Sequence, residues 1–266
     1  MQLVAASKMR RAQEADKASA PYTRAATELL TYLASQGVTD RHPLFEVRQV
    51  RARLLIVIAA DKGLAGAYNS NIIKSYVSEL RADDAANIRN ETIAVGRRAS
   101  QFVTRLKDTR IVGAYEDFAD KPDGHELRAI LDTAIEKFSS GEIDAVDIIF
   151  TEFVSSLTQT ATIQRLLPAG FDVVEVSESV RDAKYEPTLE AVLETVVYRL
   201  LGAQLFQSLL DAKASEHSMR MVAMKNATDN ASDLIEDLTL AMNKARQGAI
   251  TQELAEISGG VEALND

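Results

Sequence analysis

Hydrophobic positions along the middle of the chain fall into short runs separated by polar segments. Residues 54–60 are wholly apolar and rich in β-branched side chains, which is typical of a strand buried on both faces of a sheet. Comparable runs predict four further strands, at residues 91–95, 110–114, 145–150 and 161–167. Between these runs, apolar residues recur with the period of a helix, which predicts helices at residues 69–80, 97–106 and 124–138. The expected cap of the first helix is Asn69, Ser70 or Asn71.

This alternation of strands and helices predicts an α/β fold over residues 50–170. A strand that is followed by a helix and then by another strand produces parallel pairing, so most of the sheet should be parallel. The last two runs are joined by a short polar segment, which favours a terminal hairpin. We therefore expect a small Rossmann-like domain with a mostly parallel sheet.

The two ends of the chain show a different pattern, with good helix formers over long distances. Residues 1–36 predict one helix, in which Pro21 is the only breaker and after which Gly37 follows. A second helix is predicted over 187–258, with Pro187 at its first position and Gly259-Gly260 as its stop.

The apolar stripe of the C-terminal helix changes along its length. Its first part is broadly apolar and should be buried, whereas farther along the stripe narrows to small and aliphatic residues at three- and four-residue spacing, namely Ala231, Leu234, Leu238, Ala241 and Ala245. The two terminal helices should pair as a long antiparallel coiled coil, which would place Met1 beside residue 222. The remaining ~35 residues of the second helix would then need a partner chain.

Composition narrows the function classes. The 266 residues include no cysteine, so disulfides and thiolate metal sites are excluded and a reducing compartment is compatible. A net charge of -9 disfavours a dedicated nucleic-acid binder. No apolar run approaches the ~20 residues of a membrane-spanning helix, and no signal peptide is visible.

The stretch LLIVIAADKGLAGAYNSN, residues 54–71, raises the question of a nucleotide site. A phosphate-binding P-loop needs Lys-Ser/Thr after its last glycine, but Lys62 precedes Gly63 and no such pair follows Gly66. The loop also lacks the three glycines of a dinucleotide-binding turn. A tight strand-to-helix turn is the favoured interpretation, and an enzyme that uses this loop for a nucleotide remains an alternative.

Other candidate groups carry weaker signals. His42, His125 and His217 form no metal-binding spacing, and no nucleophile elbow or catalytic triad is visible, so we predict neither a catalytic nor a metal site. The charged residues of the N-terminal helix, which include Lys8 and Arg10, suit either solvated faces or pairing with the acidic C-terminal helix. Three methionines, Met219, Met221 and Met224, suit a core or an adaptable interface.

Four blocks of the sequence, taken together and in order, resemble the gamma subunit of F-type ATP synthase. They are VAASKMRRAQ, GLAGAYNSN, YEP and the long C-terminal block from SEHSMRMVAMK to ISGGVEAL. The resemblance implies a non-catalytic central-stalk rotor without a cofactor, which couples rotation of the c-ring to ATP synthesis and hydrolysis in a hexamer of alpha and beta subunits. It also implies proton transport by the whole complex and peripheral association with the cytoplasmic face of the bacterial inner membrane.

The resemblance also implies partner-binding residues. Arg246 and Gln247 match a pair that meets the catch loop of a beta subunit, and Thr251 and Glu253 match the same polar stretch. Tyr185 and Glu186 match foot residues beside the epsilon subunit and the c-ring, and Met1 matches a shaft methionine near the lever of a beta subunit.

Members of this family usually carry several more helical turns before the first block, so we expect the chain to be short at its N-terminus.

Beside the rotor and the enzyme that uses the glycine loop for a nucleotide, a third hypothesis is a coiled-coil scaffold unrelated to ATP synthase. It predicts self-association through the long helix.

Overall fold

The computed structural model describes residues 1–106, 109–119 and 124–265. The chain divides into two units, Met1–Met221 and Val222–Asp266. The first unit contains the sheet and all the shorter helices, and the second consists of the later part of the last helix.

Five strands form a single sheet in the order β3-β2-β1-β4-β5. The strands are β1 (Ala52–Ile58), β2 (Arg89–Val95), β3 (Arg110–Tyr115), β4 (Ala145–Phe153) and β5 (Gln159–Leu167). The first four are parallel, and β5 pairs antiparallel with β4. The mostly parallel sheet and the terminal hairpin expected from the sequence are therefore confirmed.

The position of β1 at the centre of the sheet explains why its sequence is apolar at nearly every position. It pairs with β2 on one side and β4 on the other, so that Ile56 lies opposite both Ile93 and Ile148. All seven of its residues are buried. Leu54, Ile56 and Ile58 pack into the larger core, whereas Leu55 and Val57 pack into a smaller core on the opposite face.

In the described parts of the chain, six α-helices surround the sheet or extend from it. They are α1 (Gln2–Ser35), α2 (Tyr68–Ala85), α3 (Arg97–Val103), α4 (Arg128–Ser139), α5 (Glu178–Arg181) and α6 (Leu189–Asn265). The smaller core lies between the sheet and the helices α2 and α3, as Ile72, Tyr76 and Val103 show. The larger core lies between the sheet and α1, α4 and α6.

Several predicted helix boundaries are wrong. Pro21 neither ends nor restarts α1, which is one helix of 34 residues. The predicted stop at Gly259-Gly260 is also wrong, because α6 continues to Asn265. It begins at Leu189, two residues after Pro187, so that proline does not occupy the first helical position.

The predicted cap of α2 is wrong as well. Ala67 occupies the cap position and makes no side-chain cap. Asn69 lies inside the helix, where its Oδ1 accepts a hydrogen bond from the backbone N–H of Ala60 at 3.1 Å. The Asn side chain therefore holds the preceding loop and leaves the end of the helix uncapped.

Within the first unit, α1 and α6 run in opposite directions. Leu30 and Leu33, near the end of α1, share the larger core with Leu193 and Val197, near the start of α6. At the other end, Met1 lines one cavity together with Arg220. The expected antiparallel pairing is confirmed, and its offset agrees closely with the predicted position of Met1.

Small residues are buried on both of these helices. Ala5 and Ala12 of α1 are each 2% exposed, as is Ala214 of α6. On the outer side of α1, Arg10 pairs with Glu14 of its own helix, with both side chains largely exposed. For Arg10 the structure supports the solvated-face interpretation, because pairs of this kind contribute little to stability.

Within the second unit, residues 222–265 continue the helix α6. From residue 222 to residue 257 all side chains are exposed or partly exposed. The predicted stripe lies within this segment, where Leu234 is 58% exposed and Leu238 is 61% exposed. The stripe therefore forms as an exposed helical surface.

Candidate functional site

The glycine loop lies where an open α/β sheet normally binds its ligand. Strand order reverses between β1 and β4, and ligands usually occupy the crevice beyond the carboxyl ends of such strands. Here β1 ends at Ile58, and the loop reaches α2 at Tyr68. Gly66 has φ +56°, so its left-handed backbone closes the turn.

The chain's own helix α6 fills this crevice. The guanidinium of Arg220 donates to the carbonyl oxygens of Gly63 at 3.2 Å and Lys62 at 3.3 Å. Beneath it Tyr68 is 1% exposed, and Met219 packs against the small apolar cluster that contains it. The carbonyl oxygens of the loop are therefore bonded to a cation of the same chain, which agrees with the interpretation of the loop as a structural turn.

Gly96 lies at the same end of the sheet, directly after the neighbouring strand β2. Its φ is +90°, and a Cβ atom at this position would overlap the carbonyl oxygen of Ala59. The glycine therefore permits the close approach of two backbones at the ends of β1 and β2, which is a packing role.

The histidines act in local structure. His42 Nδ1 accepts a hydrogen bond from the backbone N–H of Leu44 at 3.3 Å. His217 is 6% exposed and its Nδ1 lies 3.2 Å from Arg220 Nη1. Across residues 1–106, 109–119 and 124–265 there is no cluster of three or more His, Asp or Glu side chains that could hold a metal ion.

A buried charge cluster lies near the amino ends of the inner strands β1 and β4. Asp147 of β4 is 1% exposed and forms ion pairs with Arg53 of β1 and Arg165 of β5. Arg53 also donates to Glu79 at 2.8 Å and to Asp83 at 3.0 Å. Because each buried carboxylate meets a guanidinium, the cluster is a satisfied structural network that joins three strands to α2.

The predicted foot residues lie beside α1. The ring of Tyr185 stacks on that of Tyr32, and its hydroxyl donates to the carbonyl oxygen of Val180. Glu186 is exposed. The side chain of Tyr185 is thus fixed within the chain, whereas the carboxylate of Glu186 is accessible to a partner.

Met1 lies at the other end of α1 and is 82% exposed. It lines a cavity whose walls include Lys8, Asp61 and Lys213. A helix of 34 residues is about 50 Å long, so Met1 and Tyr185 belong to two separate regions of the first unit.

The predicted tip residues all lie in the unit Val222–Asp266. Arg246, Gln247, Thr251 and Glu253 are exposed, and Thr251 Oγ1 donates to the backbone carbonyl of Gln247 at 2.8 Å. Among the residues that the structure describes, the guanidinium of Arg246 has no ion-pair partner, which leaves its donors available to another chain.

One group of residues that matters here carried no recognisable sequence signal. Ser215 attaches α6 to β4, and Ser218 and Arg220 attach it to loops. Polar residues in a long helix normally indicate a solvated face, so only the apolar context on either side, from Leu209 to Met219, could have suggested burial.

Comparisons with known proteins agree with this architecture. The profile of a family described as ATP synthase matches residues 1–264. The ATP synthase gamma chain of Stenotrophomonas maltophilia is 38% identical over 265 residues, which cover 99% of this chain and 92% of that protein. The gamma chain of Staphylococcus saprophyticus is 37% identical with the same coverage.

Solved structures show the same fold. The central stalk and c-ring structure of the Tetrahymena thermophila mitochondrial ATP synthase contains a chain that matches with a TM-score of 0.65 and 23% identity, covering 86% of this chain and 97% of that one. A chain of the Euglena gracilis mitochondrial enzyme matches with a TM-score of 0.60 and 17% identity, covering 97% and 95%.

No described helix is both long enough and apolar enough to cross a membrane. The match of the family profile to nearly the whole sequence, together with these relatives, decides the identity. The chain belongs to the ATP synthase gamma-chain family and is a non-catalytic rotor subunit of the F-type enzyme's central stalk.

Proposed function

We propose that this chain is the rotating shaft of a proton-translocating ATP synthase and that its C-terminal helix turns inside a hexamer of alpha and beta subunits. The shaft would carry rotation of the c-ring to the beta subunits, where ATP is made or hydrolysed. The chain itself would supply contacts and torque and would bind no cofactor.

Exposed apolar side chains on the second unit carry this proposal. Eight large apolar residues of α6 are between 49% and 70% exposed: Leu234, Ile235, Leu238, Leu240, Met242, Ile250, Leu254 and Ile257. A helix with so much exposed apolar surface is stabilised when other protein surrounds it. The hexamer is a partner that would enclose the helix on every side.

The tip residues have the chemistry for a contact with beta subunits. Arg246 offers an unpaired, planar set of donors that suits carboxylates and backbone carbonyls. Gln247 lies beside it, and Thr251 and Glu253 follow within two helical turns. We assign these four residues to the contact with the catch loop of a beta subunit.

The first unit would supply the contacts nearer the membrane. We assign Tyr185 and Glu186 to the region beside the epsilon subunit and the c-ring, and Met1 to the shaft beside the lever of a beta subunit. The exposed carboxylate of Glu186 and the exposed side chain of Met1 support these assignments.

These contacts assign different roles to different parts of the chain. Residues 1–36 and 187–258 would form the coiled-coil shaft, and residues 50–170 would form the globular domain. The complex would hold the chain at the cytoplasmic face of the bacterial inner membrane, as expected for a relative of the gamma chains of Stenotrophomonas maltophilia and Staphylococcus saprophyticus.

The shaft can couple rotation to chemistry because it is asymmetric. Three beta subunits of identical sequence would meet different faces of α6, and each would therefore experience different interaction energies. A shaft can shift a conformational equilibrium only through such differential contacts. Rotation would then change the nucleotide affinity of each beta subunit in turn.

Reconstitution tests this function. The chain would be mixed with purified alpha and beta subunits of a close relative, and the complex would be isolated by size-exclusion chromatography. We expect co-elution and ATP hydrolysis above that of alpha and beta alone. In inverted vesicles that contain the complete enzyme, ATP should also drive acidification. Absence of a complex, also with additional N-terminal helical turns, would contradict the proposal.

Paired variants test the tip. Arg246→Ala combined with Gln247→Ala should lower assembly or turnover, because the proposed contact loses its donors. Lys244→Ala is the matched control, since it removes a cation two residues away, on about the opposite side of the helix. Equal activity of all three proteins would show that the tip contact is dispensable.

A further inference from the structure

One short part of α6, from Ser215 to Arg220, combines burial with polar side chains. Ser215 and Ser218 are both 0% exposed. Neither hydroxyl serves the helix itself, unlike that of Thr228, which donates to the carbonyl oxygen of Met224 four residues earlier. The buried serines instead reach other segments of the first unit.

The two serines attach α6 to β4 and to the hairpin after it. Ser215 Oγ donates to the carbonyl oxygen of Thr151 at 3.1 Å, and Ser218 Oγ donates to that of Ser156 at 2.8 Å. Gln159 Nε2 donates back to Ser218 Oγ at 3.2 Å. Hydrogen bonds to fixed carbonyl groups are directional, so they define the rotation of the helix about its axis as well as its position.

Arg220 makes the attachment to a different loop. Its guanidinium donates to the carbonyl oxygens of Gly63 and Lys62 and pairs with Glu216 at 2.7 Å. Successive residues of a helix are about 100° apart around its axis, which places Arg220 about 160° from Ser218. The two anchors therefore lie on nearly opposite sides of α6.

The anchors also lie at the last position where α6 is buried. The first unit ends at Met221, and residues 222–257 contain no buried side chain. Rotation applied to the sheet must therefore enter α6 at or before this turn. Apolar packing opposes separation of the helix from the sheet, and the directional hydrogen bonds of the anchors add a preferred rotation of the helix about its axis.

We propose that Ser215, Ser218 and Arg220 form a torsional clamp that stops α6 from turning against the sheet when the rotor is under load. This inference rests on the proposed function as a shaft. Two directional anchors on opposite sides of the helix oppose twisting in either sense, so the clamp would serve both synthesis and hydrolysis.

The test uses the assembled complex of this chain with alpha and beta subunits. The hexamer is immobilised, a bead is attached to the globular domain, and the angular fluctuation of the bead is recorded in the stalled state. Ser218→Ala combined with Arg220→Met removes an anchor on each side and keeps the apolar stem of the arginine. We expect a mean-square fluctuation about twice that of the wild type, because only part of the anchoring hydrogen bonds remain.

The matched control is Thr228→Ala combined with Lys225→Met. It also removes one hydroxyl and one cation from α6, but Thr228 bonds within its own helix and Lys225 is exposed. The control should fluctuate as the wild type does. A clamp variant that fluctuates no more than the control would overturn the proposal. Failure of the wild-type chain to rotate would count against the proposed function instead.

A second measurement uses single variants, so that the test does not depend on assembly of the double variant. Amide hydrogen exchange of residues 60–68 and 151–158 is compared for the single variants Ser218→Ala, Arg220→Met and Arg220→Lys in the complex. Loss of one hydrogen bond should raise local opening about fivefold. Arg220→Lys keeps a donor for Gly63 and should restore most of the protection. Unchanged exchange in Ser218→Ala and Arg220→Met would overturn the clamp.

Discussion

Tyr185 stacks on Tyr32 with ring centroids 5.4 Å apart and planes inclined by 23°. Burial raises the pKa of the Tyr185 hydroxyl, with smaller contributions from Tyr32 and Glu28. The hydroxyl therefore stays protonated at physiological pH and donates to the carbonyl oxygen of Val180. The stack on Tyr32 ties the segment before α6 to α1.

Replacing Tyr185 should separate the effect of its ring from that of its hydroxyl. Tyr185→Phe keeps the stack and should cost about 1 kcal/mol of unfolding free energy, the usual contribution of one hydrogen bond. Tyr185→Ala also loses the stacked ring and should cost about 2 kcal/mol or more. Urea unfolding of the chain measures both values. If the two variants were equally stable, the stack with Tyr32 would contribute nothing.

Asp147 should be sensitive to replacement because it is a buried, ion-paired carboxylate of the sheet. Its replacement in Asp147→Asn leaves the guanidinium of Arg53, which is 9% exposed, without its closest counter-charge. Breaking a buried ion pair on one side costs about 3–5 kcal/mol. Glu46→Gln breaks the exposed pair with Arg48 and should cost less than about 1 kcal/mol. Urea unfolding of both variants measures the difference, and equal losses would show that Arg53 is satisfied by its other partners.

Gly96 should not tolerate a side chain. In Gly96→Ala the new Cβ would overlap the carbonyl oxygen of Ala59, and the backbone would be held at a φ of +90°. We expect a loss of more than about 2 kcal/mol in thermal or urea unfolding. Gly170→Ala serves as the control, since its Cβ would meet no atom within 4 Å, and it should stay within about 0.5 kcal/mol. A similar small loss for Gly96→Ala would mean that the loop can move away.

The sequence was sufficient to predict the sheet, because burial on both faces left a direct trace in its residues. The seven buried positions of β1 are apolar apart from Arg53, whose charge is compensated by carboxylates from other elements. Helix ends were less predictable. Pro21 lies at an exposed position inside a continuous helix. The loop before α2 engages Asn69, so at that position a tertiary contact overrides the local preference.

For the candidate sites, too, some features could be predicted from the sequence and others could not. The sequence shows directly that no phosphate-binding pattern follows Gly66. It does not show that Arg220 contacts this loop, because Arg220 and Gly63 are more than 150 residues apart in sequence. The tip residues from Arg246 to Glu253 came only from the family resemblance. Their exposed surface acquires a function when a partner chain covers it, and a single sequence does not encode that partner.

A group of carboxylates between α1 and α6 gives the fold a dependence on pH. Burial raises the pKa of Asp211 to about 7, with further contributions from Asp16 of α1 and Glu152 of β4. Burial also raises the pKa of Asp16, one of whose carboxylate oxygens is buried without a hydrogen-bond partner. Arg165 of β5 lines the same cavity as Asp211, but it is paired with Asp147.

The chain should therefore lose stability as pH rises towards neutrality. The unfolded chain releases the Asp211 proton near the ordinary value of 3.8, whereas the folded chain holds it to about 7, so between these values the folded form binds more protons. Its stability falls over that window and levels off above it. Asp211→Asn should flatten the profile and gain about 1 kcal/mol at pH 8, allowing for partial exposure to solvent. Urea unfolding from about pH 5 to about pH 8 measures this, with exposed Asp229→Asn as the control. An unchanged slope in Asp211→Asn would assign the pH dependence to other groups.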